Sequence, residues 1–296
     1  MKMLFIINPC SGRIKIKNYL FDVIQTFCKA GYTVTTHMTT KRGNAAEAAH
    51  SAKEQGYDII VCCGGDGTLN EVITGIMTSG SDIRLAYIPA GSTNDFARTL
   101  GLQTDINKAA KSIVHSKEEY YIDVGKFSDH RYFSYIASFG MFTAVSYNTQ
   151  QTAKNALGHM AYVFEGIANV GNMEKYNVTF YADGIKHEGE YIYGGITNSI
   201  SVGGMFKFDE SIVSLNDGLF EILMVKTPKN ANDYMKIFTG ITSGDVSDSQ
   251  VFDFCRASEV KLIMPPNVVW SLDGESAKGK TEVDIKNIHG KLRLVR

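Results

Sequence analysis

From residue 3 to about residue 88, short β-rich apolar runs alternate with segments of helical period, and no other feature restricts the fold as much. The runs MLFII, YTVTTHM, YDIIVCC and LAYIPA are separated by YLFDVIQTFCKAG, NAAEAAHSAKEQG and LNEVITGIM. Strand followed by helix followed by strand predicts an α/β unit with a mostly parallel sheet and helices on both faces. Gly31, Gly56 and Gly80 stand just past the helical runs, where a left-handed cap favours glycine. After Asp123 the pattern changes to strands without regular helical crossovers: RYFSYIASFG, YNVTFYAD, HEGEYIYGGITN, LFEILMV, EVKLIMP, VVWSLDG, TEVDIKN and KLRLVR. Turn residues such as Asp183-Gly184 and Asn216-Asp217-Gly218 punctuate them, which predicts an antiparallel sandwich or barrel. Two helical insertions interrupt it, ALGHMAYVFEGIANV and ANDYMKIFTGI.

With 296 residues the chain is long enough for two domains, expected over residues 1–123 and 124–287. Lys and Arg number 30 against 31 Asp and Glu, so there is no global basic footprint for nucleic acid. Five cysteines, two of them adjacent at Cys62 and Cys63, show no zinc-like spacing and fit a reduced, cytoplasmic compartment. MKMLFIINPC is apolar too briefly for a signal peptide, and no run approaches the roughly 20 apolar residues of a bilayer span. A soluble protein that can touch a membrane surface is expected.

The run YDIIVCC ends in Gly64-Gly65-Asp66-Gly67-Thr68 and passes at once into a helical period. Such a junction places main-chain N–H groups and a helix N-terminus beside a surface that no Cβ obstructs, which suits a phosphate group. Alone, it reads equally well as a tight turn with Asp66 or Thr68 as the helix cap. Two more predicted strands, however, end in similar loops, INPCSG (residues 7–12) and IPAGSTNDFARTLG (88–101). Three such loops on one sheet edge can surround a nucleotide, since ligands of open α/β sheets bind outside the carboxyl ends of strands. They match neither GxGxxG nor GxxxxGK[ST], so a phosphate here is held without a Walker lysine. Asp66 would repel a phosphate in contact with it, and a cation must stand between them.

Four motifs in order carry a family resemblance. Asn8-Pro9-x-Ser11-Gly12, Gly64-Gly65-Asp66-Gly67-Thr68 with Asn70-Glu71, Pro89-x-Gly91-Ser92-Thr93-Asn94-Asp95-Phe96-Ala97-Arg98, and Asp273-Gly274-Glu275 resemble the diacylglycerol kinase catalytic family, in particular its soluble bacterial lipid kinases. The order and spacing hold from residue 4 to the C-terminus. The resemblance implies an N-terminal α/β domain that binds ATP, completed by residues 288–296, a C-terminal antiparallel β-sandwich, and an active site in the cleft between them. It implies transfer of the ATP γ-phosphate to a lipid hydroxyl with magnesium, at the inner face of a membrane and without nucleic acid. A homodimer is the candidate assembly.

By similarity, Asn8 and the Gly64–Thr68 loop lie against nucleotide phosphates, with Gly91 and Asn94 in the same motif and Ser11, Ser92 and Thr93 as hydroxyl donors. The resemblance joins Asp95 and Asp123 to Asp66 in a network around magnesium; on spacing alone Asp95 is a helix cap and Asp123 a charge at a strand end. Asp273, which on spacing alone is a hairpin turn, falls where the family carries its candidate general base, and Glu275 is a supporting carboxylate or metal contact. SLNDGLFEI resembles a turn that holds a structural magnesium through an aspartate, an acid three residues earlier and a following carbonyl. Asp217 and the Leu219 carbonyl match, but the earlier position is Ser214.

Other departures fall in the second domain: Gly203-Gly204-Met205 replaces three glycines, KFDESIVS lacks a proline, and Tyr135 stands where the family has Asn. They leave the ATP half of the reading intact and weaken the naming of the lipid. RIKIK reads as a solvated helix start, the Lys154–Val170 helix with His159 as packing, and Trp270 as core beside the Asp273 turn. Diacylglycerol is the acceptor expected. Two other readings stay open, an NAD kinase, which shares the GGDGT loop, and a nucleotide-binding regulator that has lost transfer.

Overall fold

The computed structural model describes residues 1–92, 94–116, 118–128, 131–141, 174–199, 201–202, 206–207, 213–266 and 268–296. The predicted helix at 154–170, His159 and the altered Gly203-Gly204-Met205 lie outside the described residues, as does Thr93. The chain divides into two compact units: Met1–Val124 with His130–Ser134 and Ile288–Arg296, and Gly125–Asp129 with Tyr135–Asn287.

The first unit alternates strand and helix as the periodicity requires. β1 (Lys2–Ile7), α1 (Leu20–Lys29), β2 (Thr33–Met38), α2 (Asn44–Ser51), β3 (Ile59–Gly64), α3 (Asp66–Ser79), β4 (Arg84–Pro89), α4 (Asp95–Thr99) and α5 (Ile106–His115) follow in order. The RIKIK segment lies in a 3-10 turn, Gly12–Asn18. The four strands pair in parallel, in the order β2-β1-β3-β4. Met3, Phe5 and Ile7 of β1 bury one face against Val23 and Phe27 of α1 and Ile106, Ala110 and Ile113 of α5. Leu4 and Ile6 are just as deeply buried and, by the strand period of two, face the other way. Cover on both faces explains why these strands are continuously apolar rather than alternating. Helix α3 ends at Gly80, whose φ of 68° supplies the left-handed cap.

Strands dominate the rest of the chain. β5 (Glu119–Phe127), β6 (Arg131–Phe133) and β7 (Ile136–Gly140) are followed by β8 (Tyr176–Ala182), β9 (Ile185–Thr197), β10 (Ser201–Val202), β11 (Phe206–Lys207), β12 (Phe220–Lys226), α6 (Ala231–Ser243), β13 (Phe252–Ala257), β14 (Glu259–Ile263), β15 (Val269–Leu272), β16 (Glu275–Lys278) and β17 (Glu282–Val295). From β7 to β16 the ladders are antiparallel, as the turn residues predict. The first half of β9 pairs with β8, and its second half lies between β7 and β12, so one long strand serves two sets of neighbours. Trp270 is fully buried against Phe127 and Phe139, the core position expected of it. The last strand, β17, pairs with β14 through Glu282–Lys286, while Leu294 near its end pairs with Leu85 of β4 in the first unit's sheet. A chain that begins its final strand in one unit and ends it in the other is invisible to periodicity, which reads the run as ordinary alternation.

Two Asp-Gly turns close hairpins with positive φ at both residues, Asp183 (45°) with Gly184 (84°) and Asp273 (49°) with Gly274 (84°), the geometry of a type I′ connection. The Asp183 carboxylate also accepts from the main-chain N of Ser258 at 3.1 Å, the Ser258 hydroxyl at 3.0 Å and the Glu259 N at 2.8 Å. Partial burial pushes this carboxyl's pKa up, but the Glu259 and Ser258 donors outweigh burial and hold it below the ordinary value. A depressed folded pKa contributes stability that is present above the ordinary carboxylate pKa and is lost as pH falls through the folded value. Asp183→Asn, which tolerates the left-handed backbone, is therefore expected to cost about 1 kcal/mol near neutral pH, discounted for the group's exposure. The difference between variant and parent closes as pH is taken below about 4, measured by urea unfolding across a pH series.

Candidate active site

In the order β2-β1-β3-β4 the chain's direction of growth reverses between β1 and β3, and the carboxyl ends of these two neighbours form the switch point of the sheet. The loop after β1 and the loop after β3 meet there. The Asn8 main-chain N donates to Cys63 O at 2.9 Å, and the Asn8 side-chain Nδ2 donates to Thr68 Oγ1 at 2.8 Å. Asn8 Oδ1 accepts from Cys10 N at 2.9 Å, so this side chain shapes the two loops with both of its polar atoms. The third loop joins through main chain, with Ala90 N donating to Gly64 O at 2.8 Å.

Glycine is required here for close approach. A Cβ on Gly91 would come 2.6 Å from the Gly65 Cα and 2.8 Å from Asn94 Oδ1, and one on Gly12 would fall on the Ala90 carbonyl oxygen. The loops thus pack on each other through backbone, and part of the glycine content serves loop against loop as well as any ligand. A Cβ on Gly64 would meet the Thr68 side chain at 2.6 Å.

Helix α3 begins at Asp66, inside the glycine-rich stretch, with Gly65 as its N-cap and no side-chain cap bond. This corrects the expectation that Asp66 or Thr68 caps it. Gly64 is the last residue of β3 and only Gly65 is loop; Asp66, Gly67 and Thr68 form the first helical turn, where intrahelical partners for N–H are lacking and the dipole favours an anion. Thr68, Ser11 and Asn94 are buried, whereas Ser92 is exposed.

Asp66 caps a different helix. Its carboxylate accepts from Asp95 N at 3.2 Å and from Phe96 N at 3.4 Å, the first two residues of α4. Asp95, expected on spacing alone to cap that helix, is its first residue; Asn94 precedes it in the left-handed region at φ 54°. Asn94 Oδ1 accepts from Gly91 N at 2.9 Å and its Nδ2 donates to Gly91 O at 3.0 Å. The Tyr87 hydroxyl lies 3.1 Å from Gly64 O and 3.3 Å from Asn94 Oδ1, bridging the second and third loops. Burial first, then the nearby Asp66 carboxylate, raises the Tyr87 pKa well above its usual value, which keeps this hydroxyl a donor. Burial likewise pushes the Cys63 thiol up to about 12 and raises that of Cys62, so neither supplies a thiolate.

The sequence did not single out the loop after β2, which the parallel pairing of β1 and β2 brings to the same sheet edge. Asn44 Oδ1 accepts from the Thr40 hydroxyl at 2.9 Å, and Glu71 of α3 accepts from Gly43 N at 2.8 Å and Ala45 N at 3.2 Å. The signal available was the Thr-Lys-Arg-Gly run at a predicted strand end. Tyr87 had no signal, because its role depends on two loops meeting.

Asp123 anchors the end of the chain. It is fully buried, and its Oδ1 accepts from Gly290 N at 2.7 Å and lies 2.9 Å from His289 Nδ1, anchoring the returning end of β17. Among the described residues no three His, Cys, Asp or Glu side chains converge to hold a metal ion. Asp66, Asp95 and Asp123 therefore do not make a protein-only cage. The half-buried Asp66 beside the first turn of α3 still fits magnesium in the form that cation prefers, with one or two carboxylates beside phosphate oxygens and water.

In the second unit the Asp273 turn is both a hairpin and a held carboxylate. Asp273 is 3 % exposed, and its Oδ1 accepts from Tyr135 N and Ile136 N, each at 3.0 Å. Its own N donates to Ile136 O at 2.9 Å. The left-handed backbone at Asp273 is sparsely populated for an L residue, and the paired donors from the start of β7 fix the carboxylate's direction. Tyr135, one of the departures from the family pattern, is thus a main-chain partner of Asp273, with its side chain in the core beneath α6. Glu275 opens β16, half-buried. The residues at Asp217 do not fit a metal: Oδ1 accepts from Leu219 N at 3.1 Å, Oδ2 pairs with Arg256 Nη2, and position 214 is Ser.

Known proteins resemble this chain in sequence and in fold. The diacylglycerol kinase catalytic domain matches residues 2–127. The chain is 35 % identical over 271 residues to the diacylglycerol kinase of Bacillus subtilis (strain 168), covering 91 % of this chain and 88 % of that one. It is 32 % identical over 289 residues to the diacylglycerol kinase of Staphylococcus aureus (strain bovine RF122 / ET3-1), covering 96 % and 88 %. A solved structure of a candidate diacylglycerol kinase from Bacillus anthracis str. Sterne superposes with a TM-score of 0.80 at 25 % identity, covering 99 % of this chain and 96 % of that one. With the ordered motifs, the switch-point loops and relatives that match along nearly its whole length, the chain belongs to the diacylglycerol kinase family.

Proposed function

We propose that this protein is an ATP-dependent lipid kinase that transfers the γ-phosphate of ATP to a lipid hydroxyl, with diacylglycerol as acceptor and phosphatidic acid as product. The observation that carries the reading is the junction at the β1/β3 switch point. Asn8 and Asn94 spend their side chains on binding the loops together, and the first turn of α3 is left as a main-chain anion site. In this reading the helix start and the glycine-rich loops take the triphosphate, with Ser11 and Ser92 as flanking hydroxyls. Asp66, with Asp95 beside it, is the group that would hold magnesium. The metal, when bound, offsets charge on the phosphate oxygens.

Asp273 is the proposed general base. Its fixed carboxylate accepts the proton of the acceptor hydroxyl as the new O–P bond forms and the bond from phosphorus to the ADP oxygen breaks. Glu275 supports it. No helix among the described residues is long and apolar enough to cross a membrane, and the reading places the enzyme at a lipid surface as a peripheral protein.

Asp273→Ala and Asp273→Asn are each expected to lower kcat by roughly 10²–10⁴-fold while ATP affinity stays nearly unchanged. Near-normal turnover in both would remove Asp273 from the role. Gly91→Ala places a methyl against Gly65 and Asn94, and should raise KM for ATP by about tenfold or more with little change in KM for lipid, in a protein whose circular dichroism is unaltered. Labelled ATP with magnesium and a lipid extract should yield a chloroform-soluble labelled product with the mass of phosphatidic acid. Label in NADP, or tight ATP binding with no transfer to any lipid, would overturn the proposal.

A further inference from the structure

Strand β12 carries a glutamate where its neighbours are apolar. Glu221 lies in the run Phe220–Val225 and is fully buried. The residue directly across the ladder on β13 is Arg256. The Arg256 guanidinium divides its donors: Nε reaches Glu221 Oε1 at 3.2 Å, and Nη2 reaches Asp217 Oδ2 in the turn that leads into β12. Asp217 Oδ1 meanwhile accepts from Leu219 N at 3.1 Å, so the turn, the strand start and the neighbouring strand are joined through one cation.

A divalent ion at such a turn has two tasks, to neutralise the Asp217 carboxylate and to tie the turn to the adjoining strand. Arg256 does both. Its planar fork presents donors in two directions from a fixed plane, which a lysine ammonium on a flexible stem does not reproduce. The acid that the resemblance expects three residues before Asp217 is replaced by an exposed serine, Ser214.

We propose that Arg256 is the resident cation of the Asp217 turn, so that the second unit is stabilised by a protein guanidinium where the family resemblance anticipates a structural metal. The pairing is an exchange of charge carrier. Arg256 contributes a positive charge fixed by covalent attachment to β13, and the turn gains independence from the divalent metal concentration. Any magnesium dependence of the protein then arises at the nucleotide.

The test uses the full chain without nucleotide. Thermal unfolding of the parent should give the same Tm in excess EDTA and in millimolar magnesium. Arg256→Ala should lower Tm by roughly 5–10 °C in both media, because it leaves Glu221 and Asp217 without their counter-charge, and Arg256→Lys should recover only part of that loss. The double variant Arg256→Ala with Ser214→Asp should regain Tm on addition of magnesium and lose it in EDTA. Manganese titration of the parent by electron paramagnetic resonance supplies a readout that does not depend on the variants' stability, and Asp217→Asn should leave its binding isotherm unchanged. A rise in parent Tm with magnesium that Asp217→Asn abolishes, a manganese site lost in Asp217→Asn, or an Arg256→Ala variant as stable as the parent would each overturn the proposal.

Discussion

The main-chain contact between Gly65 and Gly91 is the constraint around which the candidate site is built. Two strand-end loops touch where neither residue carries a Cβ, and a third is held against them by Gly12 lying on the Ala90 carbonyl. This approach can occur only because β1, β3 and β4 are parallel neighbours, so their carboxyl ends fall on one edge. The switch in strand order between β1 and β3 then opens the space beside them. The other contacts of the site keep these loops together. Asn8 bridges the first loop to the second, Tyr87 the second to the third, and Asp66 ties the second to the start of α4.

Within this junction the labour is divided between side chain and backbone. Asn8 and Asn94, residue types that read most readily as ligand contacts, direct hydrogen bonds at their own and neighbouring loops. The start of α3 has no side-chain cap, and its first turn presents main-chain N–H groups where the helix dipole favours an anion. The same economy is seen at the carboxylates. Asp66 caps a distant helix start, Asp123 secures the return of β17 at Gly290, and Asp273 is clamped by two amides of the Tyr135–Ile136 segment. A buried carboxylate without such donors would be strongly disfavoured.

Much of this was legible in the residues. The βα alternation in YDIIVCC–LNEVITGIM and its neighbours, the continuous apolarity of doubly covered strands, and Gly80 at a helix end are local signals, and each has the structure its spacing implies. The three loops were recognisable as strand ends rich in Gly, Ser and Asn. Less legible was anything requiring two distant segments to meet. Asp66 and Asp95 could each be assigned to a helix cap, but the cap of α4 comes from a carboxylate 29 residues earlier in the chain. Asp217 looked like a metal ligand in isolation, since Arg256 lies 39 residues further along, on a strand whose pairing with β12 periodicity does not specify.

The sequence by itself determined the class of each unit, the edge on which the loops lie and the family to which the chain belongs. These properties reside in local patterns of apolar spacing and in ordered short motifs, which survive without coordinates. Tertiary structure alone decided which polar atom serves which neighbour, which strands β17 pairs with, and which cation answers Asp217. The physical reason is that hydrogen bonds and ion pairs act over about 3 Å, while strand register and sheet order bring together residues tens of positions apart along the chain.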